Sequence, residues 1–186
     1  SLWGDYKYKY FLIKISYGVV KQYPELGNFQ KSREINLSYL NIKAMKIIAE
    51  IFPEWEKNVR IAQQILDEGY MGDIYPLYYE KYNFTTGKYE NSDILQSIIA
   101  HLNSEDKERK KKFVMWLEWN ILRENDEILK IKGVESTAVY SLAGQLALET
   151  GNWKVSKIMK ERIDHFRIRD GGNFSGGYGV LETEEF

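Results

Sequence analysis

The stretch Ser1-Leu2-Trp3-Gly4-Asp5-Tyr6-Lys7-Tyr8-Lys9-Tyr10-Phe11-Leu12 decides how the rest of the chain reads. Trp-Gly makes a turn, and Asp5 stands where an N-cap or first-turn acid favours a helix start. Tyr8, Leu12, Ile15 and Val19 then recur at helical spacing from Asp5 to about Tyr23, and Pro24 stops the pattern. A carboxylate on a turn ahead of an aromatic-rich helix suits the mouth of a pocket. A chain that opens on such a turn, with no starting Met, reads as the middle of a larger protein.

Outward from this helix the pattern is helix after helix. A loop is expected from Gly27 to Asn36. Leu40, Ala44, Ile47, Ile48 and Ile51 mark a second helix ended by Pro53, which can itself open a third at its first turn. That third helix carries Trp55, Val59, Ala62, Ile65 and Leu66 on one face, and Gly69 closes it. Tyr70 to Tyr89 breaks the rhythm with Gly72, Asp73 and Pro76, and reads as a long structured loop with a small hairpin across Thr85-Thr86-Gly87-Lys88. Long loops in compact domains are disproportionately functional. Helices resume from Ser92 or Asp93 to about Leu102 with Ile94 and Ile98 aligned. The next starts with Ser104 as N-cap and turns Phe113, Trp116, Leu117, Asn120 and Ile121 inward. A sixth, after Gly133, carries Val139, Leu142, Ala143 and Leu146 to Gly151. Asn152 caps the seventh, with Val155, Ile158, Met159, Ile163 and Phe166 inward. The tail from Asp170 is Gly-rich.

Seven helices joined mostly by short Gly or Pro turns make an all-α chain of stacked helical hairpins, read as one domain over residues 1–186. Such pairs build open solenoids or closed toroids, and the irregular repeat lengths disfavour tetratricopeptide or ankyrin arrays. With 186 residues, 44% of them hydrophobic, the chain can bury a core of its own. The net charge of -1 provides no field for nucleic acid or an anionic membrane, so neither is an expected partner. No apolar run approaches the ~20 residues of a spanning helix. The absence of Cys excludes disulfides, thiolate catalysis and Cys-bound zinc.

Several chemistries can be set aside. No Gly-x4-Gly-Lys-Ser/Thr loop is present, and the tail glycines do not fit the dinucleotide fingerprint. Ser175 in Gly172-Asn173-Phe174-Ser175-Gly176 is one residue off nucleophile-elbow spacing and follows no strand. His101 and His165 lie far apart on helices without a second ligand at metal spacing, so neither a metal nor another cofactor is expected. The run Lys107-Glu108-Arg109-Lys110-Lys111-Lys112 reads as a solvated helix face. What remains is a set of carboxylates beside aromatics: Asp5 after Trp3, Asp73 between Tyr70 and Tyr75, Asp93 after Tyr89, and Glu135 ahead of Tyr140. Glycoside cleavage needs such a provision, a protonated acid, a carboxylate that activates water or attacks, and aromatic platforms for sugar rings. The same acids also suit plain structural work, Asp5, Asp93 and Glu135 at helix starts and Asp73 in a turn.

At this point the opening stretch, Ser1 to Leu12, resembles the signature of glycoside hydrolase family eight, whose Gly-Asp turn starts a helix inside an (α/α)6 toroid. Glu34-Ile35-Asn36-Leu37-Ser38-Tyr39-Leu40, with Ala49-Glu50-Ile51-Phe52-Pro53-Glu54-Trp55 after it, is similar to that family's Asn-Pro-Ser-Tyr segment and the helix and Trp that follow. Here Leu37 replaces the Pro. The Gly69 to Pro76 loop falls where the family has Pro-Asp-Trp, a motif this chain lacks. Ser92-Asp93-Ile94-Leu95-Gln96 aligns with the family's Tyr-Asp-Ala-x-Arg, of which the Asp and the spacing survive. Glu135 to Tyr140 and Gly176-Gly177-Tyr178-Gly179 resemble a bacterial exopolysaccharide-processing branch. The family's general acid, a Glu in Ser-Glu-Gly-x-Ser-Tyr-Gly upstream of the Gly-Asp turn, has no match here.

The resemblance implies part of an (α/α)6 toroid, incomplete, cut from a larger glycosidase domain. It implies inverting hydrolysis of a β-linked polysaccharide, an exopolysaccharide among the options, by a parent protein in the extracellular space or cell envelope. Asp93 is then the base, and Asp5 orients the sugar or water. Trp3, Tyr39 and Tyr89 are candidate platforms, and Asp73, Glu135 and Tyr178 further substrate contacts. Without its general acid the chain alone is expected to be inactive, and its exposed apolar faces invite self-association. The alternative is a noncatalytic helical module that binds carbohydrate or protein through the same aromatic surface.

Overall fold

The computed structural model describes residues 6–22, 34–123 and 136–167. Among them are seven α-helices and a small sheet, in the order α1 (Tyr6–Gln22), β1 (Glu34–Asn36), α2 (Ile42–Ile51), α3 (Glu56–Glu68), β2 (Tyr79–Asn83), β3 (Lys88–Ser92), α4 (Ile94–Asn103), α5 (Lys107–Arg123), α6 (Thr137–Thr150) and α7 (Trp153–His165). Short 3-10 turns at Leu37–Tyr39 and Pro53–Trp55 lead into α2 and α3. The architecture is helical hairpins stacked side by side, as the periodicity indicates.

The joints follow from local chemistry. Proline disfavours the α conformation in the residue before it, and Phe52 is extended (φ -127°, ψ 86°), so α2 ends there and Pro53 opens the next turn. Between α6 and α7, Gly151 takes φ +77°, a left-handed conformation that costs glycine little, and the Asn152 N–H then bonds to the Ala147 carbonyl at 2.9 Å. Asn152 caps α7 with its own side chain, Oδ1 accepting from Val155 N at 3.1 Å. Asp106, not Ser104, caps α5: its Oδ1 accepts from Arg109 N at 2.9 Å, while the Ser104 hydroxyl accepts from Asp106 N. Only three residues separate α4 from α5, and Ser104 is spent ending the first helix.

The sheet is antiparallel in the order β1-β2-β3, with Ile35, Tyr82 and Tyr89 in register across it. The hairpin expected across the Thr-Gly turn is present, with Asn83 Oδ1 accepting from the backbone N–H of Thr85 and Thr86 and Gly87 at φ +64°. The expected Gly27 to Asn36 loop differs at its end, because Glu34–Asn36 forms β1. Three residues are too few to alternate legibly, and β2 supplies the pairing that makes them a strand.

Two apolar cores lie on either side of α4. Leu37, Ile42, Val59, Ala62 and Leu66 belong to one, which also holds Ala100 of α4. Phe113, Leu117, Tyr140, Leu146 and Met159 belong to the other, which holds Ile98. The helix faces agree with the periodicity on α3, α6 and α7 but not everywhere. On α1, Ile15 is exposed and Ser16 is buried; on α2, Ala44 and Ile47 face solvent while Ile42, Met45 and Ala49 turn inward. Apolar residues occupy both sides of α2, so its phase is set by the helix it packs on rather than by its own pattern.

Gly69 closes α3 for a reason of space. Its backbone is right-handed (φ -80°), but a Cβ there would sit 2.3 Å from Leu37 Cδ2 and 2.9 Å from the Ile65 carbonyl. Gly69→Ala is therefore expected to lower the urea midpoint, with a loss of about 1–3 kcal/mol. Gly18→Ala, in open space within α1, is expected to raise stability by about 0.5–1 kcal/mol. Equal and small effects at both positions would show that the Leu37–Gly69 contact is not close.

Candidate functional site

The polar groups with the most to do gather on α4. Asp93 is its N-cap: the backbone is extended, Oδ1 accepts from Gln96 N at 2.9 Å, and the carbonyl accepts from Ser97 N. One carboxylate oxygen is thus committed to the helix. The other has no hydrogen-bond partner among the described residues, and the residue is only half-buried.

One turn into α4, Gln96 Oε1 accepts from the Ser38 hydroxyl at 2.5 Å, and at the helix end Asn103 Nδ2 donates to the Ser38 carbonyl at 2.6 Å. Gln96, Ala100 and Asn103 are spaced four and three residues apart, so they form one stripe, and the Leu37–Tyr39 turn lies along it. Leu37 anchors that turn in the core. Tyr39, two residues on, is 76% exposed, a ring presented to solvent from a fixed turn. Gln96 thus meets both segments, its backbone N–H donating to Asp93 and its side chain accepting from Ser38, the residue beside Tyr39.

Asp73 and Tyr89 are placed elsewhere. Asp73 takes a hydrogen bond from Tyr70 at 3.3 Å and an ion pair from Lys112 at 2.6 Å; the Lys112 ammonium holds its carboxyl below the usual range, with burial opposing and the Tyr70 hydroxyl assisting. Arg109 lies 4.6 Å above the Tyr70 ring and pairs with Asp67 and Asp106, so the loop after α3 is strapped onto α5. Burial, reinforced by Asp73, pushes the Tyr70 phenol up. Tyr89 packs 4.8 Å from Tyr82 and donates to the Ile65 carbonyl at 3.0 Å; burial and then Glu68 raise its phenol. Neither residue hydrogen-bonds into the Asp93–Gln96–Ser38 network. Trp3, Asp5, Glu135 and Tyr178 lie outside the described residues.

Sequence reasoning did not single out Gln96 and Ser38 as a pair. The available signal was indirect: Ser38 lies in the segment similar to Asn-Pro-Ser-Tyr, and Gln96 stands where the resembled segment carries Arg. Nothing in a single chain marks a hydrogen bond across 58 residues.

His101, on the same helix, is fully buried. Its Nε2 lies 2.8 Å from the Pro76 carbonyl, which can only accept, so Nε2 carries the proton of a neutral ring. The ring stacks on Phe113 at 4.6 Å and meets Tyr78 edge-on at 4.7 Å. Burial lowers its pKa to about 4; the Pro76 carbonyl opposes this, while Lys110 and Arg109 add to it. Among the described residues no group of three or more His, Cys, Asp or Glu side chains is placed to hold a metal, and no helix is long and apolar enough to cross a membrane.

Since the unfolded chain protonates His101 near pH 6.5 and the folded protein only near pH 4, the unfolded state binds the extra proton between those values. Stability is then full above about pH 6.5 and falls as the pH drops towards 4, by roughly 1 kcal/mol per pH unit. Urea midpoints at pH 7 and pH 5 are expected to differ in the wild type and to converge in His101→Phe. The same slope in both proteins would assign the acid sensitivity to other groups.

No family model matches the chain, and no curated protein matches it in sequence. Among solved structures it is similar to a protein described as a novel alpha-amylase from Clostridium perfringens, with a TM-score of 0.78 and 21% identity over 95% of this chain. The chain spans 58% of the length of that protein's chain. The two share a fold: the stacked helical hairpins described above are an arrangement also found in a bacterial protein named for carbohydrate cleavage.

Proposed function

We propose that the chain is part of a carbohydrate-active domain and forms one wall of a glycoside-cleaving site, with Asp93 as the base. The observation that carries this is the carboxylate of Asp93, half-buried and with one oxygen uncommitted among the described residues, at the start of the helix whose Gln96 side chain holds, through Ser38, the turn that presents Tyr39. Inverting hydrolysis asks for such a group. A carboxylate takes the proton of a water that attacks the anomeric carbon, while an acid ~6.5 to 9.5 Å away protonates the leaving oxygen. The cap bond fixes the carboxylate in direction, and the Tyr39 ring offers a flat apolar face to a sugar. In this reading the proton donor comes from outside the described residues, and Asp5 orients sugar or water.

Two linkages have support. The family-eight resemblance favours a β-linked polymer, with an exopolysaccharide among the candidates. The name of the structurally similar protein favours an α-glucan. The noncatalytic alternative also has an observation in its favour, since capping α4 already accounts for an acid at position 93.

One variant separates cap from catalyst, because Asn caps a helix about as well as Asp but cannot take up a proton. In the natural protein that carries this chain, Asp93→Asn is expected to keep the wild-type melting temperature. It should lose at least about a hundredfold in product release from whichever of amylose, β-glucan, chitosan, xylan or exopolysaccharide the wild type cleaves. Asp93→Ala is expected to lose the same activity and about 1 kcal/mol of stability besides. Undiminished turnover in Asp93→Asn would remove the base role. Polymer binding by the wild type without product would favour the noncatalytic module.

A further inference from the structure

A concavity lies where α5 meets the α6–α7 joint, remote in its bonding from Asp93. It has a volume of about 430 Å³ and is lined by Met115, Thr150, Asn152, Trp153 and Lys154, among others. Trp153 is the first residue of α7 and is 73% exposed; Met115 is 66% exposed. Among the described residues the Trp153 ring has no aromatic, cation–π or side-chain hydrogen-bond partner, so its indole N–H is a free donor beside a bare ring face.

The joint that holds this ring is rigid for reasons already given. Gly151 sets the chain reversal and Asn152 caps α7. Asn152 Nδ2 also donates to Glu118 Oε2 at 2.7 Å, and Lys154 pairs with Glu118 Oε1 at 3.1 Å. The Glu118 carboxyl is accordingly held below its usual range, first by Asn152 and then by Lys154. Lys111, on the other side, is paired with Glu108. The rim is thus hydrogen-bonding but charge-balanced, and attracts no polyanion. The amide of Asn152 and the ammonium of Lys154, both lining the concavity, keep bonding capacity beyond the bonds they make to Glu118. One flat ring, a small apolar floor and directional donors and acceptors at the edge match a sugar ring, with its apolar face and equatorial hydroxyls, better than a lipid chain or a phosphate.

We infer that this concavity is a second carbohydrate-binding site, in which one ring of an oligosaccharide stacks on Trp153 and Met115 while its hydroxyls bond to Asn152 and Lys154, the two lining groups that Glu118 holds in place. The inference rests on the carbohydrate reading above and adds to it a place where polymer is held without being cut. It shares no residue with the Asp93–Gln96–Ser38 network.

The test is a titration of the ¹⁵N-labelled chain with maltohexaose and, separately, cellohexaose. Five indole N–H signals are expected from the five Trp, and the Trp153 signal is assigned by its loss in Trp153→Phe. The Trp153 signal should move and saturate with one of the two sugars. In Trp153→Ala the affinity at this site should fall at least tenfold, with other backbone signals in place because the ring is exposed. Asp93→Asn should leave the Trp153 response unchanged. A Trp153 signal that does not move with either sugar overturns the second site. Should signals around Tyr39 and Asp93 move while Trp153 stays still, only the second site is lost; should neither region respond and the natural protein release no product, the carbohydrate reading falls as well.

Discussion

α4 has to bury polar side chains, and the rest of the structure is arranged around satisfying them. It lies between the two apolar cores, with Ile98 in one and Ala100 in the other, so most of its circumference is removed from water. Ser97 and His101 are nevertheless buried on it, and Gln96 and Asn103 partly so. Leaving such groups unpaired would cost about 1–3 kcal/mol each. Each side chain makes a hydrogen bond to a segment outside the α-helices, while the second ring nitrogen of His101, Nδ1, stays buried without a partner among the described residues. Ser97 Oγ accepts from Tyr78 N, His101 donates to Pro76, and Gln96 and Asn103 hold Ser38. The irregular parts of the chain are thereby given one position each, which their own sequences would not have supplied.

This arrangement explains how a small helical unit can hold a half-buried carboxylate in one direction. Asp93 begins the most enclosed helix, and the turn bearing Tyr39 is fixed to the same helix by two hydrogen bonds. On the opposite side, Arg109 and Lys112 of α5 hold the loop after α3 through Tyr70 and Asp73. Lys110, almost fully buried, pairs with Glu149 at 2.9 Å and joins α5 to α6; burial, the largest single influence, would raise the Glu149 carboxyl, and Lys110 together with Lys43 and Gln145 outweighs it and lowers it. Removing Glu149 would leave the buried Lys110 charge without its ion-pair partner, so the pair acts more as a constraint on how the helices sit than as a source of stability.

What could be read from the amino-acid order followed physical range. Helix joints depend on neighbouring residues, and Pro53, Gly151, Asn152 and the Thr85-Thr86-Gly87 turn were legible because each acts on a backbone within four residues of itself. The inward faces of α3 and α7 were legible because their polar residues leave one apolar stripe. α2 was not, since Ile42, Ala44, Met45, Ile47 and Ala49 surround it and only contact with α3 chooses the phase. β1 was missed because its strand character comes from a partner more than forty residues on. At the candidate site, Asp93 was visible as an acid at a helix start, but the bond joining Gln96 to Ser38 depends on the packing of distant segments. Asp73 and Tyr89 share the local chemistry of Asp93 and Tyr39, an acid in a turn and an exposed-looking aromatic. What separates them is that the fold engages Asp73 with Lys112 and Tyr89 with the Ile65 carbonyl.

The fold thus starts α4, which cannot shift without unsealing two cores, with a capped, half-exposed carboxylate, and hydrogen-bonds the turn that presents Tyr39 to the same helix. A crystal structure of the natural protein carrying Asp93→Asn, with an uncut oligosaccharide bound, measures the consequence most directly. The account predicts a sugar ring against Tyr39, with an ordered water or sugar hydroxyl within about 3.2 Å of the residue 93 side chain. A bound chain that leaves Tyr39 and residue 93 untouched, with that side chain serving only the N–H of Gln96, would contradict it.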